Sequence, residues 1–196
     1  MTPTVAVTER LFSRTTLADE LDSREHRARS VIERATLAQL DALDLDRMIH
    51  DATTITLPVV DWTALRADVT ATDDQLMRGV VWWPYSGPSE PFGWTPNERW
   101  ITGYIPAATA SSATVAATIT ARTLVARDLD RLAQQTQSHV TSYLTALWDE
   151  HRRAAPLIAA RLRDAAARRR ALLNAAAALE RRPDQPDNEP KEPDHG

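Results

Sequence analysis

Few residues in this chain are spaced to do chemistry. The five histidines (His26, His50, His139, His151 and His195) lie far apart. None forms the HExxH arrangement that sets two imidazoles on one helical face. Asp46 and His50, four residues apart on an expected helix, come nearest to a ligand pair, and that spacing equally describes a surface ion pair. Carboxylates do acid–base work where they converge in a cleft. Asp73, Asp74, Glu90 and Glu98 flank an aromatic segment, but acids so placed are ordinarily solvated. Ser86 has glycine on one side only, so it makes no nucleophile elbow. Gly79, Gly87, Gly93, Gly103 and Gly196 match neither dinucleotide nor phosphate-loop spacing. With no cysteine, thiolate catalysis and a disulfide framework are excluded. No catalytic residue, metal or cofactor is expected. The chain reads as a non-enzyme, with a small hydrolase using acids near the aromatic segment as the remaining enzymatic alternative.

Two features could carry recognition instead. Seven of the eleven aromatics, Trp82, Trp83, Tyr85, Phe92, Trp94, Trp100 and Tyr104, fall within 23 residues, and Pro84, Pro88, Pro91 and Pro96 stiffen the stretch. Trp83, Tyr85, Phe92 and Trp94 could form a rigid platform for a ligand or partner, with Gly93-Trp94 as its exposed tip. Alternatively the tryptophans fill space between a thin sheet and long helices. The second feature is a basic helix: residues 152–182 hold nine arginines against Asp164 and Glu180. Arg163, Arg170 and Arg181 form a stripe away from its apolar face that could track phosphates, which keeps nucleic acid open as a partner. Arg169 falls inside the apolar seam, where it either snorkels or meets an acid on a partner.

The elements that must position these groups follow from periodicity. Thr16 reads as an N-cap, with Leu17, Leu21, Ala28, Val31, Ile32 and Ala35 on one helical face. A second helical stretch covers about 38–51. Pro58 makes the segment 53–60 an edge strand or extended linker. Residues 61–68 hold a helical turn or two. VVWW at 80–83, WITGYIPA at 100–107 and SATVAATIT at 112–120 are strand candidates, with a loop from Tyr85 to Glu98. In the helix expected from Val125 to Ala154, Val125, Leu129, Leu132, Thr136, Val140, Tyr143 and Leu147 line one face. Pro156 either opens a new helix or kinks a single long one. Ile158, Leu162, Ala165, Arg169, Leu172, Ala176 and Leu179 then follow a 4-3 seam. The seam predicts a contact through Leu162, Arg169 and Leu172, with either a second copy or an effector subunit. The expected fold is α+β: N-terminal helices, a small antiparallel sheet with a Trp-rich loop, and a long C-terminal helical hairpin or arm. Residues 1–15 are expected to be a loose lead-in, 16–182 one domain and 183–196 a disordered acidic tail.

The net charge of −4 hides an acidic body, the basic helix and that acidic tail. No signal-peptide pattern opens the chain and no apolar run is long enough to span a membrane, so the expected address is cytoplasmic.

The order LFSRTTLADELDS, a proline-bounded segment, VVWWPYSGPSEPF, then LWDEHRRAAPLIAARLRDAAARRRALL resembles the N-terminal region of a bacterial, defence-type protein family. Its longer members carry a C-terminal restriction-endonuclease-like domain. The resemblance spans most of residues 10–175. The family's aromatic-Pro-Tyr-Thr-Gly-Asp stretch falls on Trp83, Pro84, Tyr85, Ser86 and Gly87, and its Arg-Arg pair falls on Arg168, Arg169 and Arg170. Pro88 stands where the family has an acid, and no Asp…Glu-x-Lys element occurs in 171–196. The resemblance therefore implies a sensor or interaction module, as in a regulatory subunit of an anti-phage defence system.

Four prolines and six charges in the last fourteen residues bury too little apolar surface to pack. Deletion from Pro183 onward is expected to shift the melting temperature by less than about 3 °C; a larger drop would show the tail docked on the body.

Overall fold

The computed structural model of the chain describes residues 9–12, 14–72, 74–97, 108–111 and 113–180. Its architecture is mixed α+β: N-terminal helices, a curled antiparallel sheet and one long C-terminal helix.

The sheet is centred on β5 (Met77–Ser86) and β8 (Thr114–Ala121), paired antiparallel from Met77↔Ala121 to Pro84↔Thr114. Beyond β8 lie β7 (Ala108–Ala110) and then β1 (Glu9–Arg10). The opposite edge of β5 takes two strands in turn: β3 (Val59–Val60) at Tyr85 and Ser86, and β4 (Arg66–Ala71) from Trp82 to Met77. Alternation sets the faces. Gly79, Val81 and Trp83 of β5 and Val115 and Ala117 of β8 point inward and are buried. A Cβ at Gly79 would stand 2.6 Å from a methyl of Leu129, so glycine there lets the long helix close on the sheet.

The helical layer opens with α1 (Leu17–Arg34). Thr16 caps it and a reciprocal bond from Asp19 completes a capping box. Leu17, Leu21, Ala28 and Ile32 are buried on one stripe as the spacing predicts. Val31 is 51% exposed, because it lines an open groove beside α2 rather than the core. The single helix expected over 38–51 is two: α2 (Leu37–Ala42) and α3 (Leu45–Thr53). Asp44 between them accepts from the Arg47 N–H and starts a new helix.

The layers share one wall, α4 (Ala126–Glu180), 55 residues and about 80 Å long at 1.5 Å per residue. There is no hairpin. Pro156 lies inside the helix on its exposed side, where the carbonyl of Arg152, left without its intrahelical donor, is open to water. Ala133, Thr136, Val140, Tyr143 and Leu147 pack before the proline; Ile158, Leu162, Ala165 and Ala166 pack after it. The first half of α4 meets β5 and β8, and the helix also packs on α1, α2 and α3. Val125, just before it, is 61% exposed rather than part of the apolar face.

Three other expectations change. Residues 9–12 are not loose: β1 is paired, and Leu11 and Phe12 are 1% and 0% exposed. Phe12 holds φ 56°, an uncommon conformation for a side chain of its size. Stacking of its ring on Tyr143 at 4.5 Å and burial offset that strain. Residues 61–68 are not helical. Asp61 Oδ1 accepts from the N–H and hydroxyl of Thr63 to close a short turn, and β4 follows. Most of 53–60 is a connector, with only Val59 and Val60 in the sheet. The strand expected at 100–107 and the tail at 183–196 lie outside the described residues.

One polar contact sits within the helical core. Glu25 occupies the buried stripe of α1, and Arg161 of α4 meets it with two bonds, Nε to Oε1 at 2.8 Å and a terminal nitrogen to Oε2 at 2.5 Å. The bond to Glu25 raises the Arg161 pKa further above neutrality. Because Glu25 is nearly buried and Arg161 half-exposed, the two deletions are unequal. Arg161→Met should cost about 2–3 kcal/mol by stranding a buried carboxylate, and Glu25→Gln about 1 kcal/mol. Urea unfolding of both variants checks this; equal costs would show that the carboxylate is hydrated.

Candidate interaction site

Of the expected aromatic platform, Trp83, Phe92 and Trp94 are core, and Tyr85 is half-buried against it. Trp83 and Phe92 are 1% and 2% exposed, and Trp94, the expected tip, only 7%. Trp83, Pro84, Tyr85 and Ser86 lie on β5, so the loop begins later, at Gly87, whose φ of +94° requires glycine. A short 3-10 turn (Glu90–Gly93) leads into β6 (Trp94–Thr95), which pairs in parallel with β2 (Thr15–Thr16). The Phe12 N–H donates to the Phe92 carbonyl at 2.5 Å and the Arg14 N–H to the Gly93 carbonyl at 3.0 Å. The segment leading into α1 thus threads against the aromatic turn and seals it. Phe92 meets Tyr85 edge-on at 5.0 Å, and Trp62 meets Trp83 at 5.2 Å. Tyr85 donates to the Ser111 carbonyl at 2.7 Å, and burial pushes its phenol pKa up. Trp94 lies under the guanidinium of Arg24, 5.8 Å from the ring centre. Arg24 also bonds Glu20 at 2.7 Å and the Thr54 carbonyl at 2.9 Å, so it joins α1 to the end of α3.

The basic helix is largely engaged within the chain. Arg163 pairs with Asp46 at 3.5 Å, and Arg170 with Asp41 at 3.1 Å. Arg181 lies outside the described residues. Arg169 meets no acid among the described residues: its Nε donates to the carbonyl of Ala35, the C-cap of α1, at 3.1 Å. A cation at a helix C-terminus satisfies an orphan carbonyl and opposes the negative end of the dipole. The seam residue that predicted a partner acid is therefore a cap for a neighbouring helix. Leu162, also expected at the partner contact, is 0% exposed within this chain. Leu172 differs: it is 62% exposed, and Leu179, two turns on, is 68% exposed. Of the described residues beyond Arg170, only Leu173 still packs against the core. Among the described residues, the body covers the first half of the seam and leaves Leu172 and Leu179 of the second half exposed.

Asp46 and His50 do not converge on a ligand. His50 Nδ1 lies 3.2 Å from the Thr54 hydroxyl, and Asp46 turns to Arg163. Among the described residues no group of three or more His, Asp or Glu could hold a metal ion, and no helix is long and apolar enough to cross a membrane. Sequence reasoning missed Glu25 and Arg24. Glu25 was visible as the one acid on an otherwise apolar i, i+4 stripe between Leu21 and Ala28. Nothing in the sequence marked Arg24.

If Trp94 is core, Trp94→Ala should lower stability by about 3 kcal/mol, as large-to-small changes at buried aromatics do. Guanidinium unfolding measures it; a loss under about 1 kcal/mol would return the ring to the surface.

No protein-family model, curated protein or solved structure matches this chain.

Proposed function

We propose that this chain is a non-enzymatic interaction module that offers the end of α4 to a helix of another protein, an effector subunit. One observation supports this above the rest. Leu172 and Leu179 stand exposed seven residues apart on one face of a continuous helix, with Ala176 between them. That 4-3 spacing keeps one apolar stripe in line, the pattern by which helices pair. The defence-type resemblance supports the kind of partner, a nuclease-type effector for which this chain is a regulatory or sensor subunit.

The alternative, nucleic-acid binding through the arginine stripe, has less support. Arg163 and Arg170 already pair with Asp46 and Asp41, so a phosphate must displace a carboxylate at each.

Leu172→Asp with Leu179→Asp tests the proposal. Both side chains are exposed, so the melting temperature should stay within about 2 °C of the wild type. Mixed with the candidate effector, the wild type should co-elute as a complex and the double variant should not. A complex that survives the double substitution would overturn the proposal. Duplex binding that falls steeply as salt is raised would favour the arginine stripe instead.

A further inference from the structure

β4 forms one side of the sheet, and the direction of its backbone groups can be read from its neighbours. The Tyr85 N–H donates to the Ala113 carbonyl at 3.1 Å, toward β8. The Pro84 carbonyl accepts from the Asp61 N–H at 2.9 Å, toward β3. Even-numbered residues of β5 therefore address the β3 and β4 side. Their partners in β4 are Arg66, Asp68 and Thr70, opposite Trp82, Val80 and Arg78. Ala67, Val69 and Ala71 must then turn their N–H and C=O groups away from the sheet. The one hydrogen bond at that edge agrees: the Val69 N–H is held by Asp68 Oδ1 at 2.8 Å, its own neighbour's side chain. Among the described residues no strand pairs with this edge, and every residue of β4 is exposed.

The edge is also apolar where the sheet's inner face continues past α4. Leu65 and Val69 are 43% and 38% exposed. Arg66, on the outer face, makes no hydrogen bond or ion pair among the described residues. Asp68 meets no cation among the described residues.

We infer that β4 pairs antiparallel with β4 of a second copy of this chain, centred on Ala67, joining the two sheets across a two-fold axis. The sequence is self-complementary in that register alone. Ala67 faces itself, and Leu65 faces the partner's Val69, both as hydrogen-bonded pairs using the outward groups. Arg66 faces the partner's Asp68, and the reverse, as the closer non-hydrogen-bonded pairs with Cα atoms about 4.5 Å apart. Centring on Asp68 would oppose two aspartates, centring on Arg66 would oppose two arginines, and centring on Val69 would leave both charges against threonines. On pairing, the partner's Leu65 carbonyl takes the Val69 N–H from Asp68, and the freed carboxylate turns to the partner's Arg66. In the lone chain that same carboxylate shields the edge, a use of charge that edge strands commonly show. This surface is separate from the end of α4, so a dimer and an effector contact can coexist.

Sedimentation equilibrium of the full chain should show a dimer at about 100 μM, retained by Leu172→Asp with Leu179→Asp. Arg66→Asp alone should weaken it about tenfold or more, and adding Asp68→Arg should restore it to within about threefold. Ala67→Pro removes an N–H that β5 does not use, so it should abolish the dimer while circular dichroism stays native. The chain has no cysteine, so Ala67→Cys should cross-link into a disulfide dimer on mild oxidation, and Thr70→Cys should not. A wild type that stays monomeric at that concentration, a dimer that survives Ala67→Pro, or equal cross-linking at both cysteine positions would each overturn the inference. Of these, the monomeric result would leave the edge to another protein's strand.

Discussion

A helix can bury a stripe only as wide as its neighbours cover, and here one helix serves two neighbours in succession. α4 lays Val140, Tyr143 and Leu147 into the first part of the core and Ile158 and Leu162 into the second. Everything else depends on its running unbroken between them. Pro156 is compatible with this because it sits on the exposed side, where the missing hydrogen bond and the bend cost least. Gly79 and the buried turn at Phe12 then set how closely the other elements approach it.

The same helix sorts the chain's charge. Its arginines are not a free cationic surface. Arg161 answers a carboxylate in the core stripe of α1, Arg169 closes the carboxyl end of that helix, and Arg163 and Arg170 reach acids on α3 and α2. The exposed pairs contribute little each, whereas the contact at Glu25 is enclosed enough that losing the arginine would strand a charge. An acidic body with a basic helix is in this sense a folded neutralisation. Among the large apolar side chains left exposed are Leu172 and Leu179 past Arg170 and Leu65 and Val69 at the edge of β4.

Both uncovered features lie where the fold runs out of partners. The sheet ends at β4 because the turn at Asp61 carries the chain from β3 to β4 along the same edge of β5. α4 outruns the short helices α1 to α3. Under the proposals above, these are the positions where a second chain adds a layer without disturbing the first.

Local chemistry wrote much of this into the sequence. Thr16 as a cap, the stripe from Leu17 to Ile32, the β-branched run of β8 and the apolar face of α4 are set by spacing and by side-chain type, so they are legible without tertiary knowledge. The α+β class follows from them. Tertiary structure decided what spacing cannot encode. Whether the aromatic cluster was platform or core depended on a lead-in segment, Leu11 to Thr16, that pairs with the aromatic turn from more than seventy residues away. Whether Arg169 needed a foreign acid depended on where the carboxyl end of α1 came to rest. Residues 66–71 do alternate polar and apolar, but their apolar positions are Ala67, Val69 and Ala71, too small a set to stand out as a strand, and only their pairing with β5 makes them one. Which half of the seam was core and which surface depended on how far α1 and α2 extend beside it. A sequence pattern specifies a face, and the partner that covers it is a property of the assembled fold.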